Sequence, residues 1–510
     1  MADNITHYDA IEGYCGKLSY AAGDIVELCV STTAALFDVT VSRWGGSIDP
    51  VWSARDLEGS RQPTPATADA SGCDWETSVE IPVDTSWRSG FYLVEMTASG
   101  ALPDRRIGHA CFVVRSTTPR TSVLLVLATN TWNAYNDWGG RSLYTGGNQV
   151  SFRRPFGRGM LSRPATDRDD RKARPRRHGE EPDVDGGIYQ TYRHEHGYPG
   201  YMGSAGWFTY DRRFVEWAEQ AGFEFDYAVS SDLEHIEGLT DGYRLVIGAG
   251  HDEYWSGRQR DTIERFVAGG GNYASFSGNT IFWQVRLADD GSAMICHKYS
   301  AHIDDPVRVE DPTAMTGMWC DPVIGRPESR FLAASSMYGL YSRFGQATPR
   351  GVGGFIVYRN DHWMLEGTGL RYGDVLGADD GVVGYETVGT RFTFDDVNLP
   401  VILADPLLPD PHDVEIVCVT PASNLTMGEY PASIAALDDQ GDLEFIAERV
   451  YGGGDDAFAK VRHGNAVMLA CRPFGVAAGE VVTVGSTDWV FGLGDPLVGR
   501  VTQNVLERLS

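Results

Sequence analysis

Apolar and polar positions alternate with a period of two along the first part of the chain. Phe37, Val39 and Val41 interleave with Asp38, Thr40 and Ser42, and Val26, Leu28 and Val30 keep the same rhythm, as strands with one buried face do. Gly90–Ala98 and His109–Val114 read as further strands, with Gly, Pro, Ser and Asp between them. Residues 1–118 are therefore expected to form an immunoglobulin-like β-sandwich, followed by the polar linker Arg115–Thr121.

After the linker the pattern changes. Ser122–Leu127 (SVLLVL) and Leu245–Ile247 are short continuous apolar runs, as strands buried on both faces would be. Gly248 and Gly250 are expected to turn the backbone where the second of these ends. Ser256 followed by Gln259 is a capping-box signature, Ile263, Phe266 and Val267 share one helical face, and Gly269–Gly271 stop the helix. Asn272–Ser277 then reads as the next strand. The unit is βαβ, which predicts a parallel sheet with a right-handed crossover. Arg212–Gln220 predicts another helix and Phe225–Val229 another strand. From Val401 onward the pattern is mostly β and ends in a helix, with Asp495 as N-cap, Pro496 at its first position and Val498, Val501, Val505 and Leu509 as its buried stripe. Residues 119–510 are thus expected to be an α/β, Rossmann-like domain with a β-rich C-terminal part.

In parallel sheets ligands bind beyond the carboxyl ends of strands. There the chain places His251, Asp252, Glu253 and Tyr254 after one strand, Asn279 after the next, and the aromatic segment ATNTWNAYNDWGGRSLYTGG after Leu127. The elbow GAGHDEY has the shape of a nucleophile elbow but carries no Ser or Cys between its glycines. A glutamine-amidotransferase-like sheet is expected, without that family's nucleophile. His251 and Glu253, two residues apart in an extended segment, point the same way and are compatible with a metal site, and hard oxygen donors favour a hard ion over a soft one. Glu253 with Glu386 is also a candidate glycosidase carboxylate pair. Glu386 sits in a strand-like run, GYETVGTRFTF, and Lys298 in CHKYS reads as a solvated lysine.

Charge narrows the partners. The formal net charge of −27 over 510 residues disfavours nucleic acid and anionic membranes. No apolar run approaches the roughly 20 residues a membrane span needs. No secretory h-region is visible, and the eight cysteines are scattered without a CxxC pair, so a cytoplasmic protein with reduced, buried thiols is expected. Against this acidity, residues 153–178 form a basic, proline-containing insertion, expected to be a mobile surface loop.

Taken together, TWNAYNDWGGRSLY, GHDEYWS, GGGNYASFSGNTIFW and GYE resemble the C-terminal catalytic region of the N,N-dimethylformamidase large (beta) subunit family, over roughly residues 120–510. The resemblance implies a mononuclear ferric (Fe3+) centre held by two tyrosines and a glutamate. By motif the glutamate is Glu253 and the tyrosines are Tyr135 and Tyr144, with Tyr192 and Tyr198 as alternatives to the second. It further implies that His251, Asn279, Lys298 and Glu386 are the surrounding polar residues, and that the reaction is metal-assisted hydrolysis of a small or N-substituted amide. Trp132, Trp138 and Phe282 would wall an apolar pocket. A homo-oligomer and a small partner subunit are implied as well. Two other classes stay open: a non-catalytic ligand- or carbohydrate-binding protein, and a carboxylate-pair glycosidase.

Overall fold

A computed structural model describes residues 10–103, 105–163, 197–288, 290–339, 353–403, 413–423 and 442–510. The described residues fall into two compact units. One runs through Tyr243 and adds Val285–His297, and the other holds Arg244–Gln284 and Lys298–Ser510.

In the first unit, Ile11–Cys15, Ile25–Thr32 and Thr77–Pro82 form one antiparallel sheet. A second sheet runs in the order Ser19–Ala21, Ile107–Arg115, Gly90–Ala98, Leu36–Trp44, Ile48–Glu58. The alternating positions Val26, Leu28, Val30, Phe37, Val39 and Val41 are all buried in one hydrophobic cluster fed by both sheets. Burying such side chains is worth about 1.5–3 kcal/mol each, which fixes the register because a one-residue slip would expose the whole set. The same unit contains the fully buried strand Val123–Leu127, parallel to Asp226–Val229. The helix Arg212–Gln220 is tied to the sheets by Glu219, which takes Arg43 Nη2 at 2.5 Å and Tyr227 Oη at 2.8 Å.

The second unit is built on seven strands in the order Leu245–His251, Asn272–Gly278, Val481–Val484, His463–Cys471, Val414–Ser423, Phe355–Val357, Val375–Leu376. The first three are mutually parallel and the remainder pair antiparallel. The parallel sheet expected from the βαβ pattern thus covers only part of this set. Residues 472–480, between two neighbouring strands, are too few for a crossover helix, so those strands must run antiparallel. The helix Gly257–Ala268 starts at the capping box: Ser256 Oγ accepts from Gln259 N, and Gln259 Oε1 accepts from Ser256 N at 2.7 Å. The helix Pro496–Leu509 starts at Asp495, whose carboxylate accepts from Leu497 N and Val498 N.

Four local expectations need correction. Residues 442–462, expected as β, form the helices Asp442–Tyr451 and Asp455–Arg462, and the spacing of buried Leu443, Ile446 and Ala447 carries the first of them. The run around Glu386 is not a strand: it is held by isolated bridges Thr387↔Ser486 and Ser335↔Gly389, and only Phe392–Phe394 pairs regularly. Gly248 does not turn the chain, which stays extended to His251. It is small because a Cβ there would lie 3.0 Å from both Asp252 Oδ2 and Tyr273 Oη. The start of the basic insertion is not a solvated loop, since Arg154 and Arg163 are buried, with Arg154 Nη2 donating to Asn136 O at 2.8 Å. The rest of that insertion, from residue 164 on, and Tyr192 lie outside the described residues. All eight cysteines are buried free thiols. No helix among the described residues is long and apolar enough to cross a membrane.

Candidate functional site

Three parallel strands of the second unit end side by side, and their carboxyl ends supply the site. Leu245–His251 ends in His251, Asn272–Gly278 is followed by Asn279, and Val481–Val484 leads to Thr487. Residues 279–283 fold back onto the first of these ends. Ile281 N donates to Asp252 O at 3.1 Å, and Phe282 N and Trp283 N both donate to Glu253 O at 3.0 Å.

His251 Nε2 lies 2.7 Å from Glu386 Oε2 and 3.3 Å from Glu253 Oε2. Asn279 Nδ2 donates to Glu386 Oε2 at 3.1 Å, while its Oδ1 is buried with no hydrogen-bond partner among the described residues. All four residues are buried. Burial alone would lower the His251 pKa, but the Glu386 and Glu253 carboxylates outweigh it and raise it to about 10. Asp252 points to the opposite side of the extended segment. Its Oδ1 accepts from Trp255 Nε1 at 2.9 Å, and burial raises its pKa to about 7 against that hydrogen bond.

Backbone strain concentrates here. Of the eight non-glycine residues with positive φ among the described residues, Asn279, Ile281, Lys298 and Tyr385 belong to or adjoin these segments. Such conformations cost of order 1–3 kcal/mol each and persist only where surrounding contacts impose them. For β-branched Ile281, at φ 59°, the conformation is a true outlier. Tyr385, at φ 46°, sets its ring edge-on to His251 with centroids 5.7 Å apart.

Lys298 departs from the solvated residue expected of it. It is buried, and its ammonium lies 5.0 Å from the Trp283 ring, 5.3 Å from Tyr299 and 5.8 Å from Tyr254, in range for cation–π attraction.

In the first unit, the fully buried helix Thr129–Tyr135 ends in Tyr135. Tyr144 Oη donates to Tyr135 Oη at 2.6 Å, and the two rings stack with centroids 4.2 Å apart. Tyr201 packs against both, at 6.0 and 5.2 Å, and was not singled out from the sequence, although the Tyr-Pro-Gly-Tyr run it closes is unusually rich in tyrosine. Tyr198 is buried, with the Arg158 guanidinium over its ring. Trp132 and Trp138, expected as pocket walls, are core residues of this unit. Trp132 Nε1 donates to Asp211 at 3.0 Å, and Trp138 packs edge-on against Trp75 with Nε1 on Glu12 at 2.8 Å. Phe282 is buried in the second unit, stacked edge-on to Trp283.

The donor chemistry fits a hard cation. His251, Glu253 and Glu386 each offer one ligand atom, and these atoms lie within 4.8 Å of one another. Carboxylate oxygens suit a hard cation such as ferric iron, manganese or magnesium better than a soft ion. The orphaned Asn279 Oδ1 marks the same place as one built to hold something more than protein. Glu253 and Glu386 approach within 4.8 Å through one oxygen each, and His251 Nε2 lies close to both.

Comparison with known proteins bears on this geometry. A family model described as "N,N-dimethylformamidase beta subunit-like, C-terminal" matches residues 38–504. The N,N-dimethylformamidase beta subunits of an Alcaligenes species and of Paracoccus aminophilus are each 30% identical over 78 residues, which is 15% of this chain and 10% of the relative. The aligned stretch therefore spans about a tenth of the length of the curated relatives. Among solved structures, the ectodomain of a teleost fish polymeric Ig receptor aligns with 22% of this chain and 56% of its own at 13% identity, with a TM-score of 0.13, a likeness too slight to argue from.

Proposed function

Since the chain belongs to the N,N-dimethylformamidase beta subunit-like C-terminal family, we propose that it hydrolyses the C–N bond of a small or N-substituted amide, with His251, Glu253, Glu386 and Asn279 as its working groups. The observation that carries this reading is the buried imidazole held between two carboxylates, beside an amide side chain with an unspent oxygen.

The roles follow from the contacts. Water attacks the amide carbonyl carbon while its proton passes to the Glu386–His251 pair, whose Oε2 and Nε2 lie 2.7 Å apart. The C–N bond then breaks, and the same pair returns the proton to the departing nitrogen, leaving a carboxylic acid and an amine. Asn279 holds Glu386 through one N–H, and its second N–H is available to the oxygen that gains charge. Glu253, whose backbone carbonyl accepts from Phe282 N and Trp283 N, is the proposed carboxylate ligand. A bound ferric ion would supply Lewis-acid polarisation of the carbonyl. Tyr135 and Tyr144 are the phenol donors the family resemblance names, and their hydroxyls already converge. Lys298, caged by aromatic rings, is the remaining cationic candidate for the reaction. The parallel strands are taken as an amidotransferase-like sheet and the paired sheets as an immunoglobulin-like sandwich. A cytoplasmic homo-oligomer with a small partner subunit completes the proposal, the relatives being named as beta subunits.

The test is turnover of N,N-dimethylformamide and simple formamides, with amine release measured on wild type and Glu386→Gln. The proposal expects hydrolysis by wild type and a loss of roughly 100-fold or more in kcat for the variant. No turnover of any amide by metal-replete wild type, together with tight binding of a small ligand, would put a binding protein in its place.

A further inference from the structure

Glu386 lies on no regular strand, and the residue before it has a positive φ. Something must therefore hold the backbone that aims its carboxylate at His251. We propose that Thr487 is the positioning residue for Glu386. The inference rests on the functional reading above for what Glu386 does, and on geometry alone for how it is held.

Thr487 is fully buried and opens the short helix Thr487–Gly492, just beyond the third parallel strand. Its amide donates to Glu386 O at 3.1 Å. Its hydroxyl accepts from Glu386 N at 3.3 Å and donates to Gly384 O at 2.9 Å. One side chain thus satisfies backbone groups on both sides of the strained Tyr385, groups that a strand ladder would otherwise pair. Gly278 packs against the same junction. A Cβ there would meet Glu386 O at 2.1 Å and Thr487 N at 2.4 Å, so the end of the second parallel strand seats directly on this hydrogen bond. Ser486 Oγ also donates to Gly384 O at 3.3 Å, so the loss of the Thr487 hydroxyl falls mainly on the buried Glu386 amide, and a weakened buried hydrogen bond of this kind costs about 1–3 kcal/mol, enough to favour a different path for residues 384–386. Reactions of this kind tolerate little misplacement: a shift of about 1 Å can cost on the order of 100-fold.

The experiment compares full-length wild type, Thr487→Val, which keeps the volume and removes the hydroxyl, and Thr487→Ser, which restores it. Crystal structures of the three, and kcat and KM with N,N-dimethylformamide as probe, are the readouts. Thr487→Val is expected to open the Glu386–His251 contact beyond about 3.5 Å and to lower kcat by roughly 10–100-fold with KM changed less than about twofold. Thr487→Ser is expected to keep the contact and most of the rate. A Thr487→Val protein that only melts earlier, with the contact and kcat intact, overturns the proposal. Should Thr487→Val fail to fold, Thr487→Ala answers the same question. If wild type hydrolyses no amide, the functional reading fails, and the Glu386–His251 distance in the variants still decides this inference.

Discussion

Around Trp319, Arg260 and Arg326 meet Glu264 and Asp261, two cations against two carboxylates, whereas the trio at the strand ends sets a single imidazole between Glu253 and Glu386. In the first cluster the donors are spent. Arg260 Nε goes to Glu264 at 2.6 Å, Nη1 to Arg326 O, Nη2 to Pro327 O, and its plane covers the Trp319 ring at 4.7 Å. At the second, Asn279 Oδ1 has no hydrogen-bond partner among the described residues, and nearby backbone is strained. Both clusters are made of charges, but in the first only Arg260 is buried, with Glu264 and Arg326 half-buried and Asp261 exposed, whereas His251, Glu253 and Glu386 are all buried. The balanced one reads as architecture, and the one with more carboxylate than cation and an unspent oxygen reads as a place for chemistry.

The contrast can be broken most forcefully at Glu253. Glu253→Gln is expected to lower amide turnover by about 1,000-fold or more and to reduce metal content while melting stays near wild type, read by amine release and metal analysis. Arg260→Ala should do the reverse. It is expected to destabilise by about 2–4 kcal/mol in denaturant titrations, because it removes a buried side chain packed on Trp319 and the donor to Arg326 O, and to leave activity per folded molecule unchanged.

The smallest effect sharpens the comparison by pH. Glu328, at the edge of the arginine cluster, accepts from Ser335 Oγ, while its Oε2 is buried with no hydrogen-bond partner among the described residues. Burial raises its pKa from 4.5 to about 7, against the Ser335 hydrogen bond and the charge of Arg260. Below the ordinary carboxylate value both folded and unfolded chains hold the proton, and no penalty exists. As pH climbs toward about 7 the unfolded chain releases it first, so stability falls, and above that it falls no further. Glu328→Gln should flatten this slope, matching wild type near pH 4 and exceeding it above pH 7 by on the order of 3 kcal/mol in chemical denaturation.

Local signals were legible in the sequence, and contacts between distant segments were not. The Ser256–Gln259 cap, the Asp495–Pro496 helix start and the shared direction of His251 and Glu253 depend on neighbours a few residues apart. The pairing of Tyr135 with Tyr144 was reached through motif resemblance, and stacked rings nine residues apart in sequence hold it. Thr487 stayed hidden because its hydroxyl serves a backbone amide 101 residues away. Lys298 looked solvated because the rings around it include Tyr254 and Trp283, brought in by the fold. The antiparallel half of the sheet follows from connection lengths, which the hydrophobic pattern does not encode. The helix at Asp442–Tyr451 was legible in its spacing, but the β-rich pattern around it masked the signal.

The most direct test of the account is the metal content and visible spectrum of purified protein, wild type beside Tyr135→Phe and Glu253→Gln. The account predicts about one iron per chain, a tyrosinate-to-iron absorption band that weakens in Tyr135→Phe, and loss of iron in Glu253→Gln. Wild-type protein that hydrolyses amides at full rate with no bound metal and no band, even after ferric reconstitution, would contradict it.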